Sequence, residues 1–165
     1  MKKMIQLVVL LLVVAFPIGV KALSVDKNNL TIEKGKNETV ALYANVNSEI
    51  TEIQFTLVYT TYDVPASFNI EPGLTDTNPN GISHKIIFSN PVSGKVKLGN
   101  IRVNVVNNPK ETVGTINIHS GKALTTNNNT INLDAQTINV KIGQPMPVNN
   151  PEPKDNEETP KKTNY

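Results

Sequence analysis

The sequence predicts an all-β protein, an antiparallel β-sandwich of about nine strands. Between Leu23 and Ile142 apolar residues recur at every second position, and Val, Ile and Thr dominate these stretches. Gly, Pro and Asn separate the stretches at short intervals, as turns between strands do. No segment in this range has the spacing of three and four residues that a helix needs. A closed barrel is the alternative architecture, because the strands of a barrel and of a sandwich show the same periodicity.

The predicted strands follow from this alternation, taken in order. The first is broken, because polar residues separate Leu23 and Val25 from Leu30 and Ile32. The apolar positions of the later strands lie within 40–46, 53–59, 68–70, 82–88, 96–105, 113–118, 131–133 and 138–142. Residues that alternate in step point to the same face. We therefore expect one core between the sheets that includes Ile53, Phe55, Leu57, Val103 and Val105.

One predicted strand needs an irregularity. Val96 and Leu98 occupy even positions, whereas Ile101 and Val103 occupy odd ones. A regular strand cannot keep both sets on one face, because its side chains alternate strictly. One extra residue at 99–100 would restore the phase, so the sequence predicts a β-bulge or a break there.

The first 22 residues have the pattern of a secretory signal peptide. A basic start precedes an apolar run from Ile5 to Phe16, and Val20 and Ala22 place aliphatic or small residues at the positions that a signal peptidase reads. The run is 12 residues long, short of the ~20 that span a bilayer. We therefore expect cleavage after Ala22 and a protein that is secreted, with a retained membrane anchor as the alternative.

Removal of the leader leaves a nearly neutral domain. The whole chain has 16 basic and 14 acidic residues, and Lys2, Lys3 and Lys21 leave with the leader, so 13 basic residues face 14 acidic ones. A net charge of −1 gives no electrostatic reason to expect binding to nucleic acid or to an anionic membrane surface. After cleavage of the leader we expect no membrane insertion. The chain has no cysteine, which excludes disulfides, lipoprotein attachment and cysteine nucleophiles.

Residues 144–165 differ in composition from residues 23–143. They hold five of the 11 prolines, with Asn, Lys, Asp and Glu between them and almost nothing apolar. Such a segment cannot bury enough surface to offset its chain entropy. We expect a disordered, proline-rich linker after a single domain at 23–143.

Four segments together carry the pattern of a known family: the opening 30–42, the strand 50–59, the late strand 94–105 and the closing strand 137–142. Their order resembles the cohesin-like β-sandwiches of bacterial exported proteins, which are related to some carbohydrate-binding modules. This chain departs from the family pattern at two places. Two threonines separate Tyr59 from Tyr62-Asp63, where the family tends to have Tyr-Asp directly, and Val103 stands where an aromatic residue is usual.

The resemblance implies a non-catalytic binding module. Members of the family bind dockerin modules of polysaccharide-degrading assemblies, and related sandwiches bind glycans directly. We therefore expect recognition of a dockerin-type protein partner or a polysaccharide at the bacterial cell surface, with no cofactor. The alternative is a structural spacer, an adhesin-like Ig-type domain of a cell-wall protein, which the proline-rich tail favours.

One turn has the beginning of a calcium-binding loop. Asp76, Asn78 and Asn80 place oxygen-bearing side chains at alternate positions before a glycine, as an EF-hand loop does. The twelfth position of such a loop should be a bidentate Glu, but it falls on Ile87. Asn and Pro are also common in ordinary turns. Calcium is therefore only a secondary hypothesis for this turn.

No constellation of catalytic residues is evident in the sequence. His84 and His119 are the two histidines, and no Gly-x-Ser-x-Gly or His-x-x-x-His motif accompanies them. We interpret both as side chains on polar strand faces. Asp63 with Glu71, or Glu49 with Glu52, would suit a glycosidase pair, but the flanking aromatic residues of a sugar subsite are missing at both. We expect no enzymatic activity.

Exposed rings and polar side chains supply the candidates for binding. Tyr43 and Tyr62 are the tyrosines expected at the surface, and the chain has no Trp. Arg102 and Asn104 lie on the outward phase of the strand that follows the predicted bulge. Tyr and Arg are the residues most enriched at binding hot spots. We predict that these four residues form the ligand surface, with the loops at one end of the sandwich as the alternative.

Overall fold

The computed structural model describes residues 21–144, and these form nine β-strands and no helix. No helix in this range is long and apolar enough to cross a membrane. Residues 1–20 of the predicted signal peptide and the predicted tail after Gln144 lie outside the described residues. The strands are β1 (Ala22–Val25), β2 (Asn29–Glu33), β3 (Asn37–Tyr59), β4 (Ala66–Ile70), β5 (Thr75–Asp76), β6 (Ser83–Asn104), β7 (Val113–Thr125), β8 (Thr130–Leu133) and β9 (Gln136–Gly143).

The strands pair in the order β2-β9-β7-β3-β6-β4, with β1 on β3, β5 on β6 and β8 on β7. All of these pairs are antiparallel except β2 with β9, which is parallel. The prediction of an antiparallel sandwich is thus confirmed, apart from that one pair. The long connection from β2 to β9, through the whole domain, allows the parallel arrangement, since a parallel pair cannot be joined by a tight turn.

Two long strands contribute to both layers of the sandwich. The first half of β3 pairs with β1 and with the second half of β6, and its second half pairs with β7 and with the first half of β6. The sequence predicts two separate strands in each case. They are continuous because β-bulges between Val46 and Glu52 shift the register without ending the pairing.

The core lies between the two layers. The five side chains predicted to share it are all buried, from Val103 at 0% exposed to Leu57 at 5%. Phe55 of β3 meets Phe68 of β4 edge to face, with 5.1 Å between the ring centroids. Because β4 pairs only with the second half of β6, this contact joins the two layers across the core.

The predicted irregularity in β6 is a β-bulge, one residue earlier than expected. Leu42 pairs with Gly99 and Tyr43 with Lys97, so Leu98 is the extra residue. Leu98 and Gly99 are both buried, and the buried phase changes parity at that point. A β-carbon at Gly99 would overlap the carbonyl oxygen of Asn69 and lie 2.8 Å from the ring of Phe68, which explains the glycine.

Strand β1 begins at Ala22, the residue after which we expect cleavage. Ala22 pairs with Asn45, and the N–H of Asp134 donates to the carbonyl oxygen of Lys21 at 3.1 Å. Cleavage there would leave Leu23, which is fully buried, as the first residue of the strand. The N–H of Leu23 donates to Asp134 at 3.2 Å, so the mature end would still be held. The cleavage site stays a prediction.

Candidate functional site

The outer side of the layer formed by β1, the first half of β3, the second half of β6 and β4 carries three of the predicted site residues. We call it the Tyr43 face. Tyr43 is half-buried here, and the Lys95 ammonium lies 4.4 Å from its ring centroid. Arg102 is exposed and pairs with Thr39 of β3. Thr39 lies four residues before Tyr43, so Arg102 and Tyr43 are about 13 Å apart along the strand direction at the usual rise of a strand.

Asn104 and Tyr62 lie apart from that pair. Asn104 is half-buried at the end of β6, and its backbone N–H donates to Pro65 at 2.9 Å. Tyr62 lies beyond the end of β3 and is 86% exposed, with its ring edge-on to that of Tyr59. The structure therefore brings Tyr43, Arg102 and Asn104 onto one face and does not bring Tyr62 to it.

The opposite side of the sandwich presents a second sheet face, which the sequence did not single out. It is the outer side of β5, the first half of β6, the second half of β3, the second half of β7, and β8. Its side chains stand in cross-strand rows, which the register defines. One row is Thr75, Ile87, Glu52, Leu124 and Thr130, and the next is Lys85, Gln54 and Lys122. We call this surface the Glu52 face.

A hydrogen-bonded ion pair lies at the centre of the Glu52 face. The Lys85 ammonium is 2.8 Å from one carboxylate oxygen of Glu52, and the Gln54 amide donates to the other at 2.6 Å. Partial burial raises the pKa of Glu52, but the hydrogen bonds from Lys85 and Gln54 together outweigh burial, so the pKa lies below its ordinary value. Glu52 is therefore ionised and fixed in place at neutral pH.

Apolar side chains and shallow concavities surround this ion pair. Ile87 is 38% exposed beside Glu52, and Leu124 is half-buried on its other side. A concavity of about 370 Å³ lies along Gln54, Lys85 and Ser120, and a smaller one of about 110 Å³ lies between Glu52 and Leu124. This combination of a fixed charge pair, apolar neighbours and concave surface is suited to a protein partner.

A bulge in β7 borders the larger concavity. Gln54 pairs with Lys122 and Thr56 with His119, so Ser120 and Gly121 together stand opposite Phe55. Ser120 adopts a left-handed conformation, with φ of 54°. The bulge interrupts the β3–β7 ladder at this point, and Ser120 lines the concavity together with residues of β3 and β6.

The loop proposed for calcium is held by its own hydrogen bonds. One carboxylate oxygen of Asp76 accepts from the backbone N–H of Asn78 at 2.9 Å, and the other lies 2.7 Å from Nδ1 of His84. The Asn78 amide donates to the carbonyl oxygen of Ser83 at 2.6 Å, and Asn80 is exposed. Both groups thus stabilise the turn. Within residues 21–144, no three His, Asp or Glu side chains are grouped as a metal site would require.

His84 is buried, and its interpretation as a polar-face residue is wrong. Its side chain and that of Asp76 are each 3% exposed, and its ring lies 5.2 Å from Phe55 and 4.9 Å from Phe68, measured between centroids. The phase of the strand, with Ile86 inward, already placed His84 inward. The interpretation did not consider that the carboxylate of Asp76, eight residues earlier, could form a hydrogen bond with the buried His84 ring.

The carboxylates considered for catalysis are also engaged. One oxygen of Asp63 accepts from the backbone N–H groups of Lys110 and Glu111, both at 2.8 Å. Glu71 lies 3.0 Å from the ammonium of Lys97. These contacts hold loops and strands together.

Comparison with solved structures identifies the fold as cohesin-like. A cohesin module from a family 33 glycoside hydrolase of Clostridium perfringens matches with a TM-score of 0.58 and 14% identity, over 76% of this chain and 98% of that module. The sixth cohesin of scaffoldin B from Acetivibrio cellulolyticus, solved in complex with a dockerin, matches at 0.57 and 12%, over 74% and 98%.

A third match extends the comparison beyond those bacteria. A non-cellulosomal cohesin from the hyperthermophilic archaeon Archaeoglobus fulgidus has a TM-score of 0.53 and 12% identity, over 72% of this chain and 91% of that one. Neither a family model nor a curated protein sequence matches the chain. At these identities the similarity concerns the fold, and the predicted resemblance to cohesins is confirmed at that level.

Proposed function

We propose that this chain is an exported, non-catalytic binding module that takes a dockerin-type protein partner on the Glu52 face. The observation that carries the proposal is a cohesin-like fold with a concave sheet face, in which apolar side chains flank a fixed ion pair. The solved neighbours include cohesins in complex with dockerins, and the predicted leader supports export to the cell surface.

The composition of the Glu52 face favours a protein partner over a polysaccharide. Its outward side chains include Glu52, Gln54, Thr56, Lys85, Ile87, His119, Lys122 and Leu124, and none of these is Tyr, Phe or Trp. A polysaccharide on a flat sheet needs exposed rings on which its sugars can stack. A protein instead buries aliphatic side chains and pairs its polar groups with a fixed charge. A cross-strand width of about 20 Å for five strands suits such an interface.

The Tyr43 face is the competing surface, because the sequence predicts binding there. Tyr43 and Arg102 belong to the residue types enriched at hot spots. Two of its cations lie close to a ring or a carboxylate, Lys95 over Tyr43 and Lys97 beside Glu71. The face is thus strongly polar, and we rank it second for that reason.

The experiment measures binding of residues 23–165 to purified dockerin modules encoded in the same genome, by isothermal titration calorimetry. We expect Ile87→Glu to weaken the affinity at least about tenfold, since it places an unpaired charge beside Glu52 in the interface. Arg102→Ala and Tyr43→Ala are the matched controls on the other face, and both should bind as the parent does. Circular dichroism establishes that each variant is folded.

The outcomes separate the alternatives. Loss of binding in Tyr43→Ala or Arg102→Ala, with Ile87→Glu unchanged, would move the partner to the Tyr43 face. Unchanged binding in all three would point to the loops around Asp76 and Asn127. If no dockerin binds at all, the recognition proposal fails and the spacer function, which the proline-rich tail favours, takes its place.

A further inference from the structure

A cleft opens at the end of the sandwich where β3 stops. Residues 57–62 and Ile82 line it, and its volume is about 360 Å³. This is within the range of small-molecule sites, which begins at about 300 Å³. We call it the Tyr62 cleft. It belongs to neither the Glu52 face nor the Tyr43 face, so nothing proposed above assigns it a role.

The two walls of the Tyr62 cleft are unusually exposed apolar side chains. Tyr62 is 86% and Ile82 is 63% exposed, the highest values among the large apolar residues in the described part of the chain. Scattered single apolar residues at a surface need no explanation, but these two line the same cleft and so form one apolar surface. The open ring of Tyr62 is the feature that a ligand would contact.

The cleft is built on the sheet and is therefore preorganised. The Tyr62 ring packs at 73° against that of Tyr59, with 6.1 Å between centroids. The N–H of Leu57 donates to the carbonyl oxygen of Ile82 at 2.7 Å, and that of Thr60 donates to Thr115 at 3.0 Å. Both walls are thereby tied to strands, so a ligand would meet a surface that is already ordered.

The lining of the cleft is uncharged. A second concavity of about 330 Å³ continues on the other side of Ile82, where Ser67 and Asn80 are exposed. Among the residues that line the two concavities there is no Asp, Glu, Lys or Arg. Phosphorylated ligands and acidic peptides need cations, so this lining selects against them. A ring, an aliphatic wall and neutral hydrogen-bonding groups suit a ligand with apolar faces and hydroxyl edges.

We propose that the Tyr62 cleft binds a neutral saccharide, with one pyranose ring stacked on Tyr62 and the adjoining unit directed past Ile82 toward Asn80. The C–H bonds on the face of a pyranose carry partial positive charge, and the face of an aromatic ring is negative. The hydroxyl groups at the edge of the sugar then reach the Asn80 amide and the Ser67 hydroxyl. This site acts independently of the protein partner proposed for the Glu52 face.

The test is an NMR titration of ¹⁵N-labelled residues 23–165 with cellohexaose, xylohexaose and chitohexaose, each neutral. At least one of these saccharides should shift the backbone amide resonances of residues around Tyr62 and Ile82. Tyr62→Ala should weaken that binding by about tenfold, whereas Tyr62→Phe should retain it because the ring face is kept. Tyr43→Ala is the matched control, and Ile87→Glu should leave saccharide binding intact. Oligogalacturonate and decaproline are the comparison probes.

Three results would overturn the proposal. The first is that none of the neutral saccharides shifts these amides. The second is that Tyr62→Ala binds the saccharide as the parent does. The third is that only decaproline shifts them, which would make the cleft a site for proline-rich peptides. Tyr62 is almost fully exposed, so its replacement does not endanger the fold, and an intact melting curve verifies this. Failure here leaves the Glu52 face proposal untouched.

Discussion

Phe55 packs in the core between the two layers of the sandwich. It is 1% exposed, and its ring contacts Phe68 from the other layer and His84 from the neighbouring strand. Aromatic pairs of this kind add about 0.5–1.5 kcal/mol beyond the area they bury. The His84–Asp76 pair lies against the same rings, so a cavity at Phe55 would also let water reach that pair.

We predict that Phe55→Ala lowers the free energy of unfolding by about 3–5 kcal/mol, the usual range for deletion of a buried ring. Urea titration followed by circular dichroism measures the change. Val113→Ala is the control, because Val113 is 61% exposed and should change stability by less than about 0.5 kcal/mol. A loss below about 1 kcal/mol at Phe55 would mean that the core collapses around the missing ring.

At the residue scale, the phase of the strands could be predicted from the sequence and the partners of polar groups could not. Alternation placed Phe55 inward because it depends only on near neighbours. The same alternation placed His84 inward, yet its acceptor, Asp76, is brought there by a turn that no periodicity describes. The pairing of buried polar groups depends on tertiary contacts, and for that reason it was missed.

At the scale of the elements, the bulge in β6 was predictable because it leaves a trace in the pattern. A change from even to odd apolar positions can arise only if a residue is inserted, and Leu98 is that residue. The parallel pairing of β2 with β9 leaves no such trace, since Leu30 and Val140 would alternate identically in either direction. Strand direction is set by partners over a hundred positions away in sequence.

We predict that Gly99→Ala destabilises the domain by about 1–3 kcal/mol, the usual effect of overpacking. The new methyl group would overlap the backbone of Asn69 and crowd Phe68, which forces β4 away from β6. Thermal unfolding measures the loss. Gly94→Ala is an informative comparison, because both glycines have a positive φ, 80° at Gly94 and 157° at Gly99, but only Gly94 has nothing within 4 Å of a β-carbon. A larger effect at Gly94 would mean that backbone strain, and not the close approach of β4, decides the outcome.

At the scale of the whole molecule, the sandwich creates two outer faces, and the sequence favoured only one of them. Tyr43 and Arg102 stood out because their residue types are distinctive. The Glu52 face is assembled from β5, β6, β3, β7 and β8, whose side chains are ordinary when read singly. Its rows become visible only when the register brings Ile87, Glu52 and Leu124 together. A site formed by cross-strand neighbours can thus be found only after the strands are paired.

The tail supplies the last prediction. A chain that ends at Gly143 should have the same melting temperature as residues 23–165, within about 1 °C, because residues 144–165 offer almost no apolar surface to bury. Gly143 is the last residue of β9, and Ile142 is buried with its N–H donating to Thr112 at 2.8 Å. In the described part of the chain, the sheet ends at this residue.

A second truncation, before Gln136, is the control for this experiment. It removes the whole of β9, including the buried Ile138 and Val140, and exposes the edge of β7, so it should prevent folding. Differential scanning calorimetry compares the two truncated chains with the longer one. A fall of more than about 4 °C on removal of residues 144–165 corresponds to ~1 kcal/mol in a domain of this size. Such a fall would show that the tail packs on the sandwich.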